Sequence, residues 1–105
     1  MADFMKLMQQ AQQMQGRLQQ MQEELAQRKV SATSGGGMVT VEADGKGQVT
    51  RIKIDPSIVD PKEVEMLEDL VTVAVTEAQK QAADLAKDEM GKLAGGLNLP
   101  FSFPG

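Results

Sequence analysis

Between Phe4 and Arg28 apolar residues recur at Phe4, Leu7, Ala11, Met14, Leu18, Met21 and Leu25, alternately three and four apart. That is the a/d rhythm of a coiled-coil seam, kept for a little over three heptads. It predicts one helix of about 25 residues, roughly 38 Å long at about 1.5 Å per residue. Nine glutamines between Gln9 and Gln27 flank the stripe. Glutamine favours the helix and carries no charge, so the seam has a neutral, hydrogen-bonding flank. A short chain has little with which to cover such a rod, which points to an arm of a dimer. Gly16 falls just outside the stripe. It is either an exposed glycine costing about 1 kcal/mol relative to Ala or the mark of a close approach to another backbone or of a slight bend.

After Arg28 the period changes to two. Lys29–Thr33, Met38–Ala43 and Gln48–Ile54 read as strands. Ser34-Gly35-Gly36-Gly37 breaks the first from the second. No Lys-Ser/Thr and no helix follows these glycines, so they connect strands and do not form a phosphate loop. Asp44-Gly45-Lys46-Gly47 is a hairpin turn. Val39, Val41 and Ala43 share one face of the second strand. In the third, Thr50, Ile52 and Ile54 share one face, and Val49, Arg51 and Lys53 the other.

Asp55-Pro56-Ser57 turns the chain out of the sheet. Asp60-Pro61-Lys62-Glu63 reads as a helix start, with Asp at N-cap, Pro at N1 and Glu at N3. The helix carries Val64, Leu67, Leu70, Val71, Ala74, Val75, Ala78, Ala82, Leu85, Ala86 and Leu93 on its buried side. Gly95-Gly96 ends it, after about 32 residues or roughly 48 Å. The predicted fold class is α+β: a long helix, a three-stranded antiparallel β-meander and a second long helix. Residues 1–94 form the expected domain and 95–105 a flexible Gly/Pro-rich tail, whose two Phe are candidates to dock on a partner. If the chain reverses little between Asp55 and Asp60, both free helix ends project the same way. A pair of subunits then makes a tweezer-like homodimer.

Composition narrows the function. The net charge is −4, Cys and His are absent, and the aromatic content of 3% is all Phe. The missing residues remove thiolate chemistry, the commonest general base and the commonest metal ligand. The acids lie on helix surfaces without a nucleophile–base pair, and turns account for Asp55 and Asp60. The expectation is no catalytic residue, no metal, no cofactor and no small-molecule substrate. The start, Met1 to Lys6, does not read as a signal peptide. No apolar run is long enough to span a membrane. The expectation is therefore a cytoplasmic protein with no membrane contact.

Several stretches together resemble one family. Leu7-Met8-Gln9-Gln10-Ala11-Gln12-Gln13-Met14-Gln15 and Met21-Gln22-Glu23-Glu24-Leu25-Ala26 are similar to the start of the YbaB/EbfC family of bacterial nucleoid-associated proteins. So are Gly35-Gly36-Gly37-Met38-Val39-Thr40-Val41 and Ile52-Lys53-Ile54-Asp55-Pro56-Ser57. Glu65-Met66-Leu67-Glu68-Asp69-Leu70-Val71 with Ala74-Val75, and later Met90 and Gly95-Gly96-Leu97-Asn98-Leu99-Pro100, complete the match. The resemblance implies a cytoplasmic, nucleoid-located homodimer that binds double-stranded DNA. Gln9 stands where members often carry Lys, while Arg17 keeps a basic residue at the next such position.

DNA binding needs cations at phosphate spacing. Lys6 and Arg17 on the first helix, with Lys80, Lys87 and Lys92 on the second, are the first set of candidates. Arg51 and Lys53 on the sheet, beside Arg28 and Lys29, are the second. With no aromatic platform for single strands and no base-reading cluster, the expected binding is to duplex DNA with low sequence specificity. The competing reading is a dimeric adaptor that holds another protein through its Met/Gln helix or its Phe-bearing tail.

Overall fold

A computed structural model describes residues 2–96; the predicted tail beyond Gly96 lies outside the described residues. Helix α1 (Ala2–Gln27) is followed by strands β1 (Lys29–Ser34), β2 (Val39–Asp44) and β3 (Val49–Ile54), then by helix α2 (Val64–Gly96). The strands form an antiparallel sheet in the order β1-β2-β3. This is the predicted α+β meander between two long helices.

The sheet is built from alternation. Val39, Val41 and Ala43 of β2 are fully buried, and the register sets Ala32 against Val41 and Val30 against Ala43. The glycine link between β1 and β2 carries positive φ at Gly35, Gly36 and Gly37, a conformation that side chains disfavour. The hairpin after β2 is fixed by Asp44, whose Oδ1 accepts from the N–H groups of Lys46 (2.9 Å) and Gln48 (3.0 Å).

Strand β3 departs from the predicted faces. A bulge between Glu42 and Ala43 pairs Glu42 with Arg51 and Ala43 with Val49, skipping Thr50. The extra residue flips the alternation. Val49 therefore joins Ile54 against the core, and Thr50 is exposed.

The start of α2 is also later than predicted. Asp60 does not cap the helix: its Oδ1 accepts from Lys62 N–H (3.0 Å), and its carbonyl accepts from Glu63 N–H (2.9 Å). These bonds close a separate turn, and the helix begins at Val64. Val64, predicted on the buried side, is 51% exposed because it precedes the part of α2 that meets the sheet.

The core lies between α2 and the β1–β2 half of the sheet. Ala74 and Ala78 are buried against Ala32, Val39, Val41 and Ala43. Ser34 Oγ donates to the Leu70 carbonyl (2.6 Å) at one end, and Gln79 Nε2 to the Gly47 carbonyl (3.1 Å) at the other. Helix α2 thus runs back along the sheet, opposite to β3. The predicted parallel projection of the two helix ends arises from this full reversal, not from a chain that reverses little.

Past the sheet α2 continues alongside α1. Leu25 shares a hollow with Ala82 and Ala86. Met21 and Glu24 share one with Glu89, and Arg17 and Gln20 one with Lys92 and Leu93. Residue numbers fall on α1 as they rise on α2, so the pair is antiparallel. The whole body is drawn out to 72 × 24 × 16 Å.

Candidate nucleic-acid interface

Helix α1 is half covered. Met21 and Leu25 are buried, Met14 and Leu18 partly so, and Phe4 (67%) and Leu7 (62%) are exposed. Beside this seam runs a polar stripe. Lys6, Gln10, Gln13, Arg17, Gln20 and Glu24 follow one another at intervals of three and four, so they lie on one flank. Lys6 and Arg17 are eleven residues apart, roughly 16 Å along the axis.

The structure brings Arg17 and Lys92 to one open cleft, lined also by Gln20, Met21, Glu24, Glu89 and Leu93. Two carboxylates temper its charge. Glu89 Oε1 lies 3.4 Å from Lys92 Nζ and 3.7 Å from Arg28 Nη1. Glu89 is partly covered, but both cations are open to solvent, which screens the pairs and leaves them little stabilising effect. Among the described residues these are the ion pairs, so Lys6 and Arg17 keep their charge unpaired there.

The other candidates are elsewhere. Lys80 and Lys87 are exposed on α2. Ala78 is buried, and a residue two positions further on is rotated by about 200°. Lys80, and Lys87 two turns beyond it, therefore face away from the sheet and from α1. Arg51 and Lys53 are on the outer face of β3, with Thr40 and Glu42. The register sets Arg51 directly against Glu42 and Lys53 against Thr40, so a carboxylate stands opposite one of the two cations. The sequence-predicted residues are thus a stripe with a cleft (Lys6, Arg17, Lys92), an outer helix face (Lys80, Lys87) and an outer sheet face (Arg51, Lys53).

Gly45 supports the cleft, and its role as a hairpin glycine conceals this. Its N–H donates to the carbonyls of Leu25 (2.8 Å) and Arg28 (3.1 Å). The last turn of α1 is thereby clamped to the β2–β3 hairpin. Asp55 acts locally. Hydrogen bonds from the Ser57 side chain and N–H, with Lys53 nearby, hold its carboxyl below the usual range. Among the described residues no group of three acids, Cys or His assembles to hold a metal. None of the described helices is long and apolar enough to cross a membrane.

Comparison of the sequence with known proteins identifies a family. The sequence model of the YbaB/EbfC DNA-binding family matches residues 1–97. A nucleoid-associated protein of Gemmatimonas aurantiaca is 55% identical over 97% of this chain and 98% of its own length. One from Desulfotalea psychrophila is 48% identical over 93% of this chain and 92% of its own. An uncharacterized protein from Helicobacter pylori, solved by crystallography, shares the fold with a TM-score of 0.73 at 24% identity. That match covers 80% of this chain and 88% of the other. The long α1, the meander and the returning α2 therefore belong to a member of the YbaB/EbfC DNA-binding family.

Proposed function

We propose that the protein acts as a homodimer that binds duplex DNA with low sequence specificity. In this reading it resides in the cytoplasm on the nucleoid and affects nucleoid organisation and gene expression. It works by binding and has no catalytic step. The observation that carries the reading is the flank of α1, where Lys6 and Arg17 stand unpaired among glutamines and Lys92 faces Arg17 across the cleft. Glutamines approach phosphate without repulsion, and the cations supply attraction. Lys6 and Arg17 are separated by roughly 16 Å, more than the width of a major groove at about 12 Å. They therefore suit backbone contacts on either side of a groove. Contacts of that kind position a protein without reading bases.

A salt series tests this directly. If Lys6, Arg17 and Lys92 each neutralise one phosphate per protomer, a dimer makes about six contacts. The logarithm of affinity then falls against that of salt with a slope of about −5. Replacing both residues (Lys6→Gln with Arg17→Gln) removes about four contacts and flattens the slope by about 3 to 4. Gel shifts on random duplex DNA measure both. An unchanged slope in the double variant moves the site to Arg51 and Lys53, and salt-independent binding overturns the reading.

A further inference from the structure

We propose, building on the DNA-binding reading above, that the bare tip of α1 enters the major groove of duplex DNA and sets Phe4 and Leu7 against the C5-methyl groups of thymines. Phe4, Met5, Leu7 and Met8 are all exposed, four large apolar side chains within five residues. Single exposed apolar residues are ordinary, whereas a cluster of them marks a contact surface. Among the described residues, α1 has cover only from Met14 onward. Met14 and Leu18 are half-buried, and Ala11, Leu7 and Phe4 are open.

Width, charge and chemistry each favour DNA as the occupant. A single helix is about 10–12 Å across with its side chains, and the major groove is about 12 Å wide and about 8.5 Å deep. The tip of α1 fits that groove alone. Further along, α1 lies beside α2, and packed helices with axes roughly 8–10 Å apart are together too wide to enter. Lys6 is one residue from Leu7 and so about 100° round the helix. It therefore reaches the side of the groove when Leu7 faces the floor. Its charge is unpaired among the described residues, and a phosphate complements it. Asp3 is the one acid between residues 3 and 13, and the positive end of the helix dipole offsets its charge. On the floor of the groove each thymine presents a methyl group, which takes apolar contact. Phe4 and Leu7, three residues apart on one face, supply it. Such contact biases binding toward thymine-rich duplexes without reading a sequence. A second copy of α1 is the weaker occupant, because the free part of the seam is under two heptads and so short a helical pairing is marginal.

Uracil lacks only the C5-methyl of thymine, so one A·T-rich duplex made with either base isolates the contact. Gel shifts of the full-length protein at low salt are expected to show about four-fold tighter binding to the thymine duplex for each methyl buried, from the transfer free energy of one such group. Phe4→Gln with Leu7→Gln is expected to bring the two affinities together. It removes no cation, so the salt slope is expected to stay as it is. Both substitutions fall on exposed positions, and helical circular dichroism is expected to be unchanged. Equal binding of the unsubstituted protein to both duplexes overturns the proposal and leaves the DNA reading standing. So does a thymine preference that survives in the double variant. Sedimentation of the double variant at a lower mass than the unsubstituted protein assigns the tip to a second copy and overturns it too. Failure of the unsubstituted protein to bind either duplex overturns the DNA reading and this inference together.

Discussion

Gly16 lies within α1 and Gly45 against its last turn, and their substitutions are expected to act in opposite directions. A Cβ at Gly45 would sit 2.5 Å from the Leu25 carbonyl oxygen, a backbone atom that cannot swing aside. Gly45→Ala therefore forces α1 away from the hairpin and is expected to cost about 2 kcal/mol. A Cβ at Gly16 meets nothing within 4 Å. Gly16→Ala removes only the glycine penalty and is expected to stabilise by about 0.5–1 kcal/mol. Urea midpoints of the two variants check both signs. The sequence left Gly16 with two readings, and open space selects the exposed glycine. It named Gly45 only as a turn residue, because a contact with Leu25 twenty residues away leaves no local pattern. Asp55 offers a pH test. Its carboxyl is held low by Ser57, so the associated stability is present above the unfolded carboxylate range and is lost as pH falls through the lowered folded value. Ser57→Ala removes the hydroxyl and keeps the N–H bond. The Asp55 carboxyl is then expected to titrate at higher pH, still below its ordinary range, as followed by carboxyl NMR.

Elements were legible where one period ran without competition. The alternation of β2 names its own buried face, and the seam of α1 names the face that α2 covers from Met14 to Leu25, with Phe4, Leu7 and Ala11 left exposed. Strand β3 was not legible in that way. Val49 and Thr50 suit a strand equally, and only the pairing with Glu42 and Ala43 shows which one is skipped. The start of α2 misled for a related reason. Asp60-Pro61-Lys62-Glu63 satisfies a capping pattern, but the same Asp oxygen closes a turn on Lys62 first. The cleft between the helices was half legible. Spacing alone puts Lys6 and Arg17 on one flank, whereas Lys92 meets Arg17 only because α2 turns back along α1. Glu89 sits in that junction between Arg28 and Lys92. Glu89→Gln is expected to cost under about 1 kcal/mol of stability, as for other exposed pairs. It also frees Lys92 beside Arg17 and Arg28 at the end of α1, so DNA binding at low salt is expected to tighten several-fold. Stability unchanged with affinity unchanged in a gel shift would take the cleft out of the DNA surface.

At the scale of the molecule, this chain exposes more surface than its mass accounts for. Its accessible surface is 7932 Å², where a compact monomer of 11.3 kDa has about 5,700 Å². Its radius of gyration is 19.8 Å against about 13 Å for a globule of this length. The largest fully buried side chains are Val39 and Val41, a small core for so long a body. The proposed homodimer would cover part of this surface, and the sheet offers a place for the second copy. Helix α2 covers β1 and β2 and leaves edge strand β3 open, so Ile52 is 44% exposed although it pairs with the fully buried Val41. Met38, Val59 and Val64, at the same end, are exposed as well. An uncovered apolar edge strand is a template for pairing, and a stable interface needs about 800 Å² from each partner, well within the surface excess. Ile52→Asp is therefore expected to turn a sedimenting dimer into a monomer that keeps its helical circular dichroism. Phe4→Asp, a change at a more exposed apolar residue near the far end of α1, is expected to leave the dimer intact. The monomeric variant carries half the cations of the pair, so the salt slope of its DNA affinity is expected to fall to about half. A dimer that survives Ile52→Asp moves the interface off β3, and a full slope retained by a monomer separates DNA binding from dimerisation.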